Sequence, residues 1–123
     1  MGYRAHVCKT YTVEYGVGQM SHLSEEVNNF LLEACFKDEQ GQQVDVVRWY
    51  NCEDPVYSDE LELNPEGLKM LIDTLRSGEL DDLVEYRFSG HNGHYSASEL
   101  ADVFQSWLDN YDKNNNFIRI AWF

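Results

Sequence analysis

Basic residues are scarce in this sequence: 9 Lys and Arg stand against 22 Asp and Glu, a formal charge of -13 at pH 7. Binding to a phosphate backbone draws on clustered cations that release counterions, so the shortage weighs against direct nucleic-acid binding. No run of 18 apolar residues occurs, which excludes a single transmembrane helix. The start, Met1-Gly2-Tyr3-Arg4, leads into a polar, strand-like stretch where a secretory leader would be apolar, and a cytoplasmic location is expected. Cysteines are few, odd in number and far apart (Cys8, Cys35, Cys52), which fits reduced thiols better than a disulfide framework. No CxxC pair is present to start a zinc site, and GxGxxG, Walker, HExxH and GxSxG patterns are missing.

Apolar material is plentiful. Hydrophobic residues make up 43% and aromatics 14% of 123 residues, enough for one domain, spanning 1–123, to bury a core without staples. Residues 4–15 alternate at the period of a strand, with Val7, Tyr11, Val13 and Tyr15 on one side. Ser21 or Ser24 then caps a helix over about 22–35, whose stripe is Leu23, Val27, Phe30, Leu31 and Ala34. An alternative ends that helix early and makes a hairpin of 30–36 and 43–50 around a turn containing Gly41. Residues 43–50 read as a strand through Val44, Val46, Val47, Trp49 and Tyr50, and 51–64 as a loop or edge segment.

Asn64-Pro65-Glu66 opens a helix that buries Leu68, Leu71, Ile72 and Leu75 and stops at Gly78. Residues 83–88 read as a strand. Ser96 and Glu99 form a capping box ahead of the stripe Leu100, Val103, Phe104, Trp107, Leu108 and Tyr111, and Phe117 to Phe123 is a last strand. The expected fold is α+β: a mixed or antiparallel sheet of about four strands covered by about three helices.

Candidate chemistry is thin. His91 and His94, in the glycine-bearing loop 89–95, are the most enzyme-like pair, and a small metal-dependent hydrolase built on them is one alternative. Two imidazoles are short of a four-ligand site, and a polar glycine-rich turn is the preferred reading, so neither a metal nor a cofactor is expected. Cys8 and Cys35 lie in apolar-patterned elements where a buried thiol is the common role, and Cys52 sits beside Glu53 and Asp54, which oppose a thiolate.

The distribution of acids is more informative than their number. Glu53, Asp54, Asp59, Glu60, Glu62 and Glu66 run without a Lys or Arg from 53 to 66, and Glu79, Asp81, Asp82 and Glu85 follow on the far side of the middle helix. Trp49, Tyr50, Tyr57 and Tyr86 are interspersed with them. Tyr and Trp are favoured interface anchors, and carboxylates around them suit a basic groove. The expected partner-binding residues are therefore Glu53, Asp54, Tyr57, Asp59, Glu60, Glu62, Glu79, Asp81 and Asp82.

Met1-Gly2-Tyr3-Arg4, Trp49-Tyr50 and Phe117-Ile118-Arg119-Ile120 together resemble small proteins of phages and mobile elements. In size and acidity the chain is similar to phage inhibitors of host-defence nucleases, including anti-CRISPR and DNA-mimic proteins, and to toxin-neutralising immunity proteins of the barstar kind. The resemblance implies a non-catalytic inhibitor, in the host cytoplasm, whose protein partner has a basic surface such as that of a nucleic-acid-processing enzyme. A further alternative is a structural protein whose terminal strand pairs with a copy of itself; the sequence sets no oligomeric state.

Overall fold

The computed structural model describes residues 5–9, 12–13, 24–88 and 95–122. Its elements, in chain order, are β1 (Ala5–Lys9), β2 (Thr12–Val13), α1 (Ser24–Glu33), β3 (Cys35–Lys37), β4 (Gln43–Asp45) and β5 (Val47–Tyr50). A short 3-10 turn at Pro55–Tyr57 follows, then β6 (Glu60–Leu63), α2 (Pro65–Ser77), α3 (Asp81–Phe88), α4 (Ala97–Asn110) and β7 (Ile118–Trp122). Five strands form one sheet in the order β2-β1-β7-β6-β5, and β3 and β4 form a separate hairpin. Each pairing among the described strands is antiparallel, so the α+β expectation resolves to antiparallel sheets with four helices among the described residues.

Alternation along the central strands separates two faces. Leu61, Leu63, Ile118, Ile120 and Trp122 point into the core, where they meet Val27, Phe30 and Leu31 of α1, Leu68, Leu71, Ile72 and Leu75 of α2, and Leu100, Phe104 and Trp107 of α4. The α2 stripe is buried as read; Ala34 of the first stripe and Val103, Leu108 and Tyr111 of the last are only partly buried, Leu23 lies outside the described residues, and Trp107 is fully enclosed. The α4 capping box is also present: the Glu99 N–H donates to the Ser96 hydroxyl at 3.1 Å, and the Ser96 N–H donates back to the Glu99 carboxylate at 3.4 Å.

Several expectations are corrected. The single strand expected over 4–15 is two short antiparallel strands, with Cys8 opposite Val13 and Lys9 opposite Thr12. After α1 each reading holds in part: the helix runs through Phe30 and Leu31 to Glu33, and a hairpin shorter than the alternative's pairs Cys35 with Asp45 and Lys37 with Gln43. The turn between its arms is closed by the Asp38 carboxylate, which accepts from the Gln40 and Gln42 N–H groups at 2.9 Å. The 43–50 strand is broken at Val46, and 51–64 is more than a loop or edge, because β6 lies between β5 and β7.

Residues 83–88 are helix, not strand. Val84 and Phe88 stand one helical turn apart and are buried, whereas Tyr86, which a strand would have put on their side, is 75% exposed. Asp81 and Asp82 in the first turn favour the helix dipole, and the Val84 N–H donates to the Leu80 carbonyl at 2.9 Å.

The terminal strand lies at the middle of the sheet, hydrogen-bonded to β1 on one side and β6 on the other. A copy of the chain therefore cannot pair with β7 unless it displaces one of them.

The start of α2 is held differently from a simple cap. The Asn64 side chain makes no capping bond; it donates to the Asp45 carbonyl at 2.8 Å, while its backbone N–H donates to the Val46 carbonyl at 2.8 Å. Gly67, in the first turn, lies so close to this junction that a Cβ would sit 2.5 Å from the Asp45 carbonyl oxygen. Gly78 ends α2 in the left-handed conformation at φ 88°, as its position after the last apolar residue suggested. In an open helix, Gly→Ala gains about 1 kcal/mol. At Gly67 the sign should invert: Gly67→Ala is expected to destabilise by about 1–3 kcal/mol through overpacking against backbone, and a urea midpoint that rises would disprove the close contact.

Candidate functional site

The first acidic segment divides at Ser58 into two parts with different roles. Upstream, Asp54 accepts from the Val56 N–H at 3.2 Å and caps the turn Pro55–Tyr57, which the Tyr57 and Ser58 N–H groups close onto the Asp54 and Pro55 carbonyls. Buried Ser58 accepts from the Asn51 N–H at 3.0 Å, and its hydroxyl has two acceptors within reach, the Asn51 side-chain oxygen and the Glu60 carbonyl. From α1, the buried Asn28 amide donates at 3.0 Å to both the Val56 and Ser58 carbonyls, and its oxygen accepts from the Trp122 indole at 2.9 Å. The loop is pinned to helix and sheet at once, so Glu53, Asp54, Tyr57 and Asp59 are presented outward from a fixed frame, with Tyr57 59% exposed.

Downstream, the strand period turns Glu60 and Glu62 to the sheet face opposite the core, where cations meet them. Arg119 of β7 lies 3.5 Å from Glu60 and 3.8 Å from Glu62, and Arg48 of β5 lies 3.4 Å from Glu62. The register shift between Val47 and Trp49 is what arranges this row: one extra residue in β5 puts Val47 opposite Leu63 and Trp49 opposite Glu62. The Arg119 guanidinium then rests 5.0 Å from the Trp49 ring centre, and Arg48 lies over Phe117 at 3.6 Å. Glu60 and Glu62 are thus half-buried and paired within the fold, which corrects their expected place on a freely solvated acidic face. Neither arginine stands out in the sequence, although the alternation Glu60-Leu61-Glu62-Leu63 is itself a strand pattern with both acids on one side.

The second segment stays exposed. Glu79 lies in the turn after α2, and Asp81 and Asp82 lie in the first turn of α3, a helix that buries only Val84 and Phe88. Leu83, Glu85 and Tyr86 are exposed along the same helix. The two acidic segments lie in different elements of the fold: the first in the loop that α1 holds ahead of β6, the second in the turn after α2 and the first turn of α3.

His91 and His94 lie outside the described residues. Among the described residues, no three of His, Cys, Asp and Glu are grouped so that they could hold a metal ion. Cys35 is exposed and Cys52 half-buried, both free thiols, so the buried role expected for Cys35 is corrected. A polar depression of about 460 Å³ borders the α2 start between Asp38, Asp45, Arg48, Asn64 and Glu66, and it brings together no nucleophile with a base. No helix of the described residues is long and apolar enough to cross a membrane. No family model, no curated protein and no solved structure matches the chain.

Two predictions follow from this geometry. Asn28→Ala orphans the Trp122 indole N–H and two loop carbonyls, each worth about 1–3 kcal/mol when buried, so a loss of about 2–4 kcal/mol is expected in urea denaturation; a loss below about 1 kcal/mol would show that the loop is not held by this amide. Reversing Glu60 and Glu62 to Lys sets four cations on one sheet face and should lower stability by about 1–3 kcal/mol, less at high salt. An unchanged melting temperature at low salt would mean the pairs with Arg48 and Arg119 do not form.

Proposed function

We propose that this chain is a binding protein whose acidic surface occupies a basic protein surface of the kind that holds nucleic acid, and that it acts as an inhibitor of a host-defence nuclease or a toxin. The observation that carries this reading is Tyr57, exposed on a pinned loop with exposed Glu53, Asp54 and Asp59 around it and no cation in the sequence from 53 to 66. An aromatic anchor on a rigid frame loses little freedom when a partner closes on it, and clustered carboxylates raise the rate of encounter with a basic surface.

Repulsion supplies the selectivity: at a formal charge of -13 the chain disfavours acidic surfaces and free nucleic acid alike. An inhibitor of this type acts by occlusion. It needs no cofactor, and its effect saturates at one equivalent per site.

The test is to capture the partner from an extract of the native host, then measure association and inhibition with the purified pair. Wild type is compared with Glu53→Lys and Asp59→Lys combined, which spare the turn-capping Asp54, and with a control of equal charge change at exposed Glu39 and Asp73. The loop variant should associate at least about tenfold more slowly at 0.05 M salt, with the difference shrinking above 0.3 M as screening shortens. Equal slowing in the control would reduce the effect to net charge, and a retained partner with no basic surface would refute the proposal.

A further inference from the structure

The second acidic segment borders a feature that the first does not have. Where α1 ends, β3 begins and the α2–α3 turn passes, an apolar groove of about 170 Å³ opens beside Phe30, Ala34, Phe36, Leu71, Leu80 and Leu83. Its floor is buried core, Phe30 and Leu71; its walls, Ala34, Phe36 and Leu80, are partly buried; its lip, Leu83, is exposed. A cavity of about 150 Å³ with such a lining holds a benzene ring, so the groove has room for one aliphatic or aromatic side chain. Exposed Leu83 and exposed Cys35 keep its mouth open to solvent.

The charge next to the lining residues Leu80 and Leu83 is acidic. Glu79, Asp81 and Asp82 are exposed and alternate in sequence with the lining residues Leu80 and Leu83, and Glu33 lies in the wall. Arg87 is paired with Glu33, and Lys37 lies one residue from Phe36. The lip from 79 to 82 therefore carries three carboxylates and no cation.

We infer that this groove receives one apolar side chain, of leucine size, from a Lys- or Arg-rich segment of the protein partner, with Glu79, Asp81 and Asp82 pairing with the flanking cations. The inference rests on the basic-partner reading above and names the chemistry of the partner at the second acidic surface. An apolar anchor in a pocket within a charged rim has the usual anatomy of an interface hot spot: the pocket sets the dissociation rate and the rim sets the encounter rate. A chain of pure nucleic-acid-binding character would satisfy only the rim. The groove thus selects a basic segment that also carries a hydrophobic residue.

The probe is a capped pentapeptide, Lys-Lys-Leu-Arg-Lys, compared with the same peptide carrying Ser at the centre, each titrated into the full chain and followed by amide chemical shifts. The leucine peptide should bind about tenfold more tightly, about 1.4 kcal/mol, and move the amides of Glu33 to Phe36 and of Leu80 and Leu83. Leu83→Ser, its fold checked by the dispersion of its amide shifts, should remove most of that difference without altering binding of the serine peptide. Combined reversal of Glu79, Asp81 and Asp82 to Lys should weaken both peptides. Equal affinity of the two peptides, or shifts confined to other surfaces, overturns the groove while leaving the basic-partner reading standing. Failure of both peptides to bind at low salt overturns the inference at this surface, whereas the basic-partner reading falls only if the captured partner has no basic surface.

Discussion

One buried amide holds the parts of this molecule that face outward to the parts that hold it together. Asn28 reaches from α1 to two carbonyls of the 51–59 loop and accepts from the indole of Trp122, so a helix, an irregular loop and the central strand share a single side chain. Its amide hydrogens and oxygen are all engaged, which is the condition under which a polar group can be enclosed at 1% exposure. The loop cannot shift without breaking bonds that water cannot replace. The Trp122 N–H donation to the Asp59 carbonyl at 2.7 Å adds a second tie at the same place. The outward position of Tyr57 follows from an inward constraint.

The sequence made the helices legible where two signals agreed. For α4, a capping box and a continuous stripe coincide, and for α2 a proline start, a stripe and a terminal glycine coincide. It was ambiguous where one signal served two periods: Val84, Tyr86 and Phe88 fit a strand at period two, while Val84 and Phe88 fit a helix at four, and only burial chooses between them. β6 was obscured because its four residues follow an acidic loop, although their alternation is regular. At the candidate site, exposure of Tyr57 and of Asp81 and Asp82 agreed with the reading from charge runs. The pairing of Glu60 and Glu62 did not, because it depends on which strands become neighbours, and Arg119 is more than fifty residues away in sequence. Asn28 was invisible for the same reason: an asparagine in an amphipathic stripe looks like a surface residue until the loop it binds is in place.

The arginines explain how the surface becomes more one-signed than the composition alone implies. Each described arginine faces a carboxylate of the same chain: Arg48 and Arg119 on the outer face of the sheet, Arg76 with Asp102 between α2 and α4, Arg87 with Glu33 between α3 and α1. These pairs tie elements together that are distant in sequence, and they withdraw cations from the outward field. Carboxylates at 53–59 and 79–82 then face solvent, which is the arrangement a basic partner would meet.

That arrangement sets stability and binding against each other in their response to salt. Exposed like charges repel within the folded chain, and ions that shorten the range of that repulsion to about 10 Å at 0.1 M favour the compact state. The same screening weakens attraction between the acidic surfaces and a basic partner. The internal arginine pairs respond less, since their partners are in contact and some, such as Arg119 with Glu62, are largely shielded from solvent. Added salt should therefore raise the melting temperature of the free chain while slowing its association. A contact governed by the apolar groove alone would keep its dissociation rate throughout, because burial of a leucine-sized side chain carries no charge for salt to screen.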